Sequence, residues 1–294
     1  MKMDLHMHTR ISDGTDSPEE LLQVVRSSGI SLLSVTDHDA LSGNRILWNL
    51  LKPDDPSFIC GIEFSCQDEQ GKYHILGYGF DPEGLSIRAT VDRGQAFRTE
   101  TLRKRLQLLE QMFQISFPEN EIQKLMELDN PGKPHIGNLM VQYGFAGSLK
   151  EAFASYLQLL PDQQDYIRPE DAVQGILESG GVPVLAHPFF GDGSDRFTRE
   201  TLEERLDRLI SFGLKGVEAF YSGFSEDLIR QTLQSAAQRN LYITAGSDYH
   251  GKNKTIPPGL TGLDEDQDPP EGLKRFLRDV QKLPGWRGHD QINS

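Results

Sequence analysis

Residues 3–39 read MDLHMHTRISDGTDSPEELLQVVRSSGISLLSVTDHD, and this stretch indicates the fold class. An apolar strand is predicted at Met3–His8. A helix start follows at Ser17–Glu20, where an N-cap residue, a proline and two early acids occupy the positions that helices favour. Gly29 ends this helix, and a second apolar strand follows at Leu32–Thr36. Strand, helix and strand in this order predict parallel strands joined by a crossover helix.

The same pattern continues along the chain. Five further short segments rich in Val, Ile, Leu and Phe predict buried strands: Phe58–Phe64, His74–Gly77, Val182–Ala186, Gly216–Phe220 and Tyr242–Ala245. Strands three and four are separated only by Asp68–Lys72, which predicts a hairpin. The remaining connections predict right-handed βα crossovers, so the sequence favours an α/β barrel.

Residues 87–166 interrupt this pattern. Apolar residues recur there at helical spacing, and no segment of the stretch has the pattern of a strand. We therefore expect a small all-helical insertion between strands four and five; a stack of long crossover helices is the alternative. The predicted domains are residues 1–86 for the first part of the barrel, 87–166 for the insertion, and 167–294 for the rest of the barrel with a C-terminal helix.

Composition limits the classes of partner. The chain has 294 residues and a formal net charge of −14, so a broad basic surface for duplex DNA is not expected. No run approaches the ~20 apolar residues of a membrane span. Cys60 and Cys66 suit neither a disulfide framework nor a zinc knuckle, which favours a cytoplasmic protein. An anionic substrate would need a local positive charge, for which bound cations are the candidate.

The histidines fall at strand ends. Six of the eight lie in or just after a predicted strand: His6, His8, His38, His74, His187 and His250. A single histidine near a strand is usually structural. However, α/β barrels gather their catalytic residues at the carboxyl ends of their strands, so six together predict a functional cluster.

Spacing indicates that this cluster binds metal. His6 and His8 lie on one face of a strand roughly 6.5 Å apart, so both can reach one cation at ~2.0–2.1 Å. Asp248 and His250 repeat this arrangement, and the two could share one ion or serve neighbouring ions ~3.5–4 Å apart. Glu63, at the end of strand three, would be buried without a partner unless a cation were present.

As a set, these motifs resemble those of the PHP (polymerase and histidinol phosphatase) family. They are His6-x-His8, Ser12-Asp13-Gly14, Thr36-Asp37-His38-Asp39, Gly61-Ile62-Glu63, His74, Ala186-His187-Pro188 and Gly246-Ser247-Asp248-Tyr249-His250-Gly251. The resemblance covers about residues 1–85 and 170–252. It implies a distorted (β/α)7 barrel, the PHP fold, with two to three divalent ions. Nitrogen and oxygen ligands without thiolate fit Mn, Fe or Zn.

The resemblance also implies a role for each residue. The implied ligands are His6, His8, Glu63 and Asp248 for the first ion, Glu63, His74 and His187 for the second, and Asp13, His38 and His250 for the third. The implied catalytic residues are Glu63, Asp248, His187 and His250. Of these, His187 and His250 are candidates for proton transfer, but a metal-bound imidazole is a poor acid, which favours a ligand role. Asp37 and Asp39 are either partners that orient a histidine or exposed loop acids.

The implied activity is hydrolysis of a phosphoester by a metal-bound hydroxide. The helical insertion resembles that of a subgroup acting on AMP, 3′,5′-nucleoside bisphosphates or short 5′-phosphorylated RNA. Lys133-Pro134-His135 is similar to its Arg-Pro-His signature, but Lys133 replaces an arginine and Asn138 a second one. Both changes weaken anion contacts and favour one phosphate, or another way of holding a second.

The candidates for phosphate contacts are Arg10, Lys133, His135 and Lys252, and Phe189, Phe190 and Tyr221 are candidates for stacking on a base. Two other functions stay open. One is a phosphatase of a small metabolite such as histidinol phosphate, and the other is a regulatory module with structural metals.

Overall fold

The computed structural model describes residues 1–161, 165–191 and 196–288. Seven strands pair in chain order. They are β1 (Met3–Asp4), β2 (Leu32–Val35), β3 (Ser57–Asp68), β4 (Gly71–Tyr78), β5 (Val182–Leu185), β6 (Gly216–Tyr221) and β7 (Tyr242–Gly246). A short β8 (Trp286–Arg287) pairs antiparallel with β3.

Backbone hydrogen bonds between the two terminal strands close the barrel. Leu5 N donates to the Ala245 carbonyl at 3.0 Å, and Asp248 N donates to the His6 carbonyl at 2.8 Å. His8 N donates to the Tyr249 carbonyl at 2.8 Å. The predicted strand Met3–His8 is therefore regular only in β1, and its second half bonds to the segment that follows β7. The architecture is the expected distorted (β/α)7 barrel.

The barrel helices follow the local sequence signals. They are α1 (Pro18–Ser28), α2 (Ser42–Leu50), α7 (Pro169–Glu178), α8 (Arg199–Phe212), α9 (Glu226–Gln238) and α10 (Glu271–Val280). In α1 the predicted start is a capping box between Ser17 and Glu20, and Gly29 ends the helix at a left-handed φ of 71°. No helix in the described ranges is both long and apolar enough to cross a bilayer.

One predicted connection was wrong. Strand β4 pairs antiparallel with both β3 and β5, so the chain between β4 and β5 is not a parallel crossover. The predicted hairpin explains this, because it reverses the chain direction and the next strand must return. The reversal also places His74, near the start of β4, at the barrel end where the parallel strands finish.

The chain between β4 and β5 contains the expected all-helical insertion. Its elements are α3 (Leu85–Phe113), α4 (Glu119–Met126), α5 (Lys133–Gln142), α6 (Leu149–Ala152) and a π-helical segment, Phe153–Leu157. These helices enclose a second apolar cluster, which includes Leu102, Leu109 and Ile136. Ile87 and Val91, in the first turns of α3, belong instead to the barrel core. The domain boundaries at 87 and 166 stay predictions.

Candidate metal centre

Four side chains converge where β1 and β7 end. His6 Nε2 and His8 Nε2 lie 3.1 Å apart, and each contacts Glu63 Oε2, at 3.2 and 3.1 Å. Asp248 Oδ1 lies 3.6 Å from His6 Nε2 and 3.4 Å from His8 Nε2. All four side chains are buried. This is the first ligand set that the sequence predicts.

The other oxygen of Glu63 faces a second group. Glu63 Oε1 lies 2.9 Å from His74 Nδ1 and 3.1 Å from His187 Nε2. The two histidine nitrogens lie 3.2 Å apart. Glu63 thus presents one oxygen to each of two imidazole pairs, which is the geometry that a bridging carboxylate requires.

The third group is formed around Asp13. His250 Nε2 lies 3.2 Å from Asp13 Oδ1, and His38 Nε2 lies 3.9 Å from Asp13 Oδ2. His8 Nδ1 also approaches Asp13 Oδ1, at 3.5 Å. Four sets of His, Asp and Glu atoms, each within 4.8 Å of one another, include all nine predicted ligands. The geometry therefore supports these residues as candidate ligands.

The charges of the buried groups indicate a site for positive charge. Burial raises the pKa of Glu63, but the charges of His6 and His74 lower it more, so its pKa lies well below its usual range. For Asp248, burial also raises the pKa, and Lys254 and His250 reverse that effect. Burial lowers the pKa of His8, while hydrogen bonds to Asp248 and Glu63 raise it to about 9. The carboxylates are thus ionised and attract positive charge to the site.

The imidazole geometry fits divalent cations. His6 Nδ1 donates to Glu218 Oε1 at 3.0 Å, so in a neutral ring Nε2 carries a lone pair towards His8 and Glu63. A lone pair facing a carboxylate at 3.2 Å is unfavourable, whereas a cation between the two atoms satisfies both. The buried His187 Nδ1 has no hydrogen-bond partner in the described structure. The chemistry of the donors therefore fits a bound divalent cation.

Glu218 was missed by the sequence analysis. It is fully buried in β6, where its Oε1 accepts from His6 Nδ1 and its Oε2 accepts from His187 N at 2.8 Å. It therefore orients one candidate ligand from each of two groups. The sequence feature that could have identified Glu218 is its position as a single acid in the apolar strand Gly216–Phe220, the same pattern that singled out Glu63.

Lys254 and Tyr221 hold Asp248. The Tyr221 hydroxyl donates to Asp248 Oδ2 at 3.0 Å, and the Lys254 ammonium also donates to that oxygen. Oδ1 of Asp248 is thus left to face His6 and His8. Lys254 was missed because it lies in an ordinary polar loop sequence.

The structure contradicts one of the two interpretations of Asp37 and Asp39. Both side chains are buried, so they are not exposed loop acids. Asp37 accepts from Thr9 N, Thr9 Oγ1 and Ser12 Oγ, each at 2.8 Å, and Asp39 accepts from Arg98. Asp37 instead fixes the loop after β1, in which Ser12 Oγ lies 3.4 Å from His8 Nδ1.

The backbone is strained at two candidate ligands. His187 has a φ of 24° and Asp248 a φ of 58°, a region that non-glycine residues rarely occupy. Such strain is typical of functional sites, where the surrounding structure must maintain it. Gly246 allows a close approach nearby, because a Cβ there would lie 2.2 Å from His6 Cβ and 2.5 Å from Glu218 Oε1.

A cavity of about 520 Å³ opens above the candidate ligands. Its floor includes Glu63 and Asp248, and Pro134, Leu149 and Phe153 of the insertion form an apolar part of its wall. Tyr221 also lines the cavity. Of the other two predicted stacking residues, Phe189 is buried in the core, and the Phe190 ring packs 5.8 Å from that of Tyr221.

The predicted phosphate contacts lie at different distances from this cavity. Lys133 lines a smaller neighbouring cavity together with Asp13 and His38. His135 lies in the first turn of α5, and its Nδ1 accepts from Gly132 N at 3.1 Å. Arg10 and Lys252 are exposed and are not among the described residues that line either cavity. Contact of these four residues with substrate stays a prediction.

Comparison with known proteins agrees with this geometry. The chain is 29% identical over 268 residues to a phosphoribosyl 1,2-cyclic phosphate 1,2-diphosphodiesterase of Eggerthella lenta, covering 86% of this chain and 96% of that protein. It is 27% identical over 270 residues to a 3′,5′-nucleoside bisphosphate phosphatase of Chromobacterium violaceum, covering 89% and 90%.

A solved structure from Bifidobacterium adolescentis, assigned as a metal-dependent phosphoesterase, superposes with a TM-score of 0.79 at 26% identity, covering 99% of this chain and 97% of that one. The PHP domain model matches residues 4–167, which is more than half of the chain. With this match, the barrel and the His, Asp and Glu clusters at its strand ends, the chain belongs to the PHP domain family and shares the fold of its metal-dependent phosphoesterases.

Proposed function

We propose that this protein hydrolyses a phosphate ester of a nucleotide with the help of two or three bound divalent cations. The cavity above the candidate ligands carries this proposal. It combines a floor of imidazoles and carboxylates with an apolar wall formed by Pro134, Leu149 and Phe153 of the insertion. The floor suits a phosphoryl group, and the wall suits the planar apolar face of a base.

The nine candidate ligands would hold the cations, with Glu63 between the first two sites. Their donor atoms are nitrogen and oxygen only, which fits Mn, Fe or Zn. When bound, such ions polarise phosphoryl oxygens and activate the attacking water. Three dications would outweigh the charges of Asp13, Glu63 and Asp248, so the site would attract an anion in spite of the net charge of −14.

The protein residues position these groups. Glu218 holds His6 with its Nε2 facing the site, and Tyr221 and Lys254 hold one oxygen of Asp248 so that the other faces His6 and His8. Lys254 also lines the cavity, where its ammonium adds positive charge for the incoming phosphate.

The names of the two relatives support a ribose-containing substrate, since one specifies a phosphoribosyl compound and the other a nucleoside. The apolar wall favours a substrate with a base over a small metabolite such as histidinol phosphate. The predicted location is the cytoplasm, and the free, buried state of Cys60 and Cys66 supports it.

A substrate panel tests the proposal. Metal-replete protein is assayed with AMP, adenosine 3′,5′-bisphosphate, short 5′-phosphorylated RNA and histidinol phosphate. We expect the highest kcat/KM with an adenosine substrate, and a loss of at least about 10³-fold for Glu63→Ala. Glu203→Ala, on α8, is the control and should keep its activity. Hydrolysis of histidinol phosphate alone, or no effect of Glu63→Ala, would contradict the proposal.

A further inference from the structure

His38, a candidate ligand of the third group, is contacted by both the barrel and the insertion. It follows β2, and its Nε2 lies 3.9 Å from Asp13 Oδ2. Its Nδ1 lies 3.3 Å from Glu63 Oε2 and 3.4 Å from Ser65 Oγ, both on β3. In a neutral ring with its proton on Nδ1, the lone pair of Nε2 therefore faces Asp13, as a ligand of the third group requires.

Arg98 connects helix α3 of the insertion to the surroundings of this ring. Its guanidinium donates to Asp39 Oδ2 at 2.9 and 2.7 Å and to Ser65 Oγ at 2.6 Å. Asp39 Oδ1 in turn accepts from Ser65 N at 3.1 Å. The Arg98 side chain is only 15% exposed, so water competes little for these hydrogen bonds. The guanidinium therefore fixes the residue that follows His38 in the chain and the hydroxyl beside its ring.

The backbone next to His38 has a conformation that needs such support. Asp39 has a φ of 49°, a region that non-glycine residues occupy rarely and at an energetic cost. Its N donates to the Glu63 carbonyl at 3.0 Å, and His38 lies beside Glu63 in a parallel bridge. Because Arg98 holds the Asp39 side chain, it helps to maintain this conformation and the direction of the His38 ring.

The insertion makes a second contact at the same place. Asn130, between α4 and α5, is buried, and its Nδ2 donates to the His38 carbonyl. Gly94 lies one turn before Arg98 on α3, and a Cβ at Gly94 would lie 3.3 Å from Asp39 Cβ. The helix thus packs directly against the segment that carries His38. Two separate parts of the insertion therefore meet the barrel at this candidate ligand.

We infer that the insertion completes the third metal group, with Arg98 and Asn130 as positioning residues that hold His38. Binding of a cation to this group and contact of the insertion with the barrel then stabilise each other, because both depend on the same arrangement of His38. The inference rests on the proposed function only for the presence of bound cations. It gives the insertion a part in assembling the metal centre, in addition to forming a wall of the cavity.

Titration of the metal-free protein with Mn²⁺ tests the role of Arg98. Electron paramagnetic resonance of free Mn²⁺ gives the number of bound ions and their affinities. Arg98→Met keeps a long side chain but removes the guanidinium, and we expect one bound ion per chain to bind about 10–100-fold more weakly, as when a ligand histidine loses its partner. The other ions should keep their affinities within about threefold, because Asp39 and Ser65 belong to neither of the other groups.

Two further variants separate positioning of His38 from general attachment of α3. Arg93→Met is the matched control, because Arg93 also links α3 to the barrel, through an ion pair with Asp171 of α7 at 3.3 Å, but is 46% exposed. Its Mn²⁺ affinities should stay within about twofold of wild type. Asn130→Ala removes only the hydrogen bond to the His38 carbonyl and should weaken the same ion by about threefold to tenfold. Circular dichroism checks the fold of each variant.

Asp13→Asn shows whether the affected ion belongs to the third group. This substitution weakens a ligand of that group, so adding Arg98→Met to it should change the binding of the remaining ions by less than about twofold. The inference is overturned if Arg98→Met weakens those remaining ions, if Arg93→Met loses as much affinity as Arg98→Met, or if the wild type binds no more Mn²⁺ than Asp13→Asn.

Amide hydrogen exchange measures the reciprocal effect. Saturating Mn²⁺ should slow exchange in residues 94–101 and 128–135 by at least about tenfold in the wild type and by less than about threefold in Arg98→Met, because the coupling between two equilibria is mutual. Equal slowing in both proteins, or none in the wild type, overturns the inference. Neither measurement uses a substrate. If no adenosine phosphate is hydrolysed, the proposed function fails, while Mn²⁺ binding still decides whether the insertion positions His38.

Discussion

Replacing Glu218 by Gln tests how the protein orients its candidate ligands. The carboxylate accepts two hydrogen bonds, from His6 Nδ1 at 3.0 Å and from His187 N at 2.8 Å. Glutamine has nearly the same shape but only one accepting oxygen. If that oxygen accepts from His187 N, the amide NH2 faces His6 Nδ1 and forces the proton to Nε2. The His6 nitrogen that faces the metal site then no longer offers a lone pair.

If the amide is reversed, His6 keeps its orientation but two N–H groups face each other at His187. The first arrangement keeps both hydrogen bonds but loses the lone pair on His6 Nε2, whereas the reversed amide loses one buried hydrogen bond, at about 1–3 kcal/mol. Water has little room to replace it, because even a Cβ on Gly246 would lie 2.5 Å from Glu218 Oε1. We expect Glu218→Gln to weaken metal affinity by about 10–100-fold, the usual effect of removing the partner of a ligand histidine.

Metal affinity is measured by competition with a chromophoric chelator, and kcat/KM is then measured at saturating metal. Glu203→Gln is the matched control, because Glu203 also accepts side-chain hydrogen bonds but lies on α8, where Arg199, Ser235 and Arg239 contact it. Its metal affinity should stay within about twofold of wild type. The reasoning is refuted if Glu218→Gln binds metal as tightly as this control while circular dichroism shows both variants folded.

Three further changes give defined results. Removal of divalent ions with a chelator should abolish phosphatase activity, and addition of Mn, Fe or Zn should restore it. The free energy of unfolding of the metal-free protein should be about 2.7 kcal/mol lower than that of the protein in the presence of ions at a hundred times their Kd, and an unchanged melting temperature would count against this. Gly246→Ala places a Cβ 2.2 Å from His6 Cβ and should lower the free energy of unfolding by about 1–3 kcal/mol. Urea unfolding measures this change, and a urea midpoint equal to that of the wild type would contradict the close approach. Burial raises the pKa of Asp4 from 3.8 to about 6, only partly offset by hydrogen bonds from Ser247 and Gly259, so folded Asp4 keeps its proton to higher pH than unfolded Asp4. The stability of the metal-free wild type should therefore fall relative to Asp4→Asn by about 2.4 kcal/mol as the pH rises from 4 to 7, and a difference that does not vary with pH in urea titrations would refute the raised pKa.

Local patterns predicted most of the fold. The capping box at Ser17 and Glu20 and the glycine at position 29 bound α1 where expected, because these signals act within a few residues. The predicted parallel crossover between β4 and β5 was wrong for the opposite reason. The hairpin between β3 and β4 was recognised, but its effect on the pairing of β5 depends on contacts between residues more than a hundred positions apart.

The candidate site also contains residues that the sequence predicted and residues that it missed. The nine predicted ligands form recognisable motifs, and the structure brings them together. Glu218 and Lys254 were missed because each is a single charged residue outside those motifs, and their importance depends on what they contact in three dimensions.

The antiparallel direction of β4 has a consequence for the depth of the catalytic cavity. The chain leaves β4 at the barrel end opposite the metal centre, where Ile87 N, in the first turn of α3, donates to Ser179 Oγ ahead of β5. To reach the other end, α3 must travel the full height of the barrel, and its 29 residues span about 43 Å. On the way it passes Asp39, which Arg98 contacts, and it ends in the apolar cluster of the insertion. The length of α3 therefore sets the height of the insertion above the metal centre. Adding or removing one turn of α3 would move the insertion, and with it the apolar wall of the cavity, by about 5.4 Å without altering any candidate metal ligand. Change in the length of one helix offers related enzymes a simple way to accept longer or shorter substrates with the same chemistry.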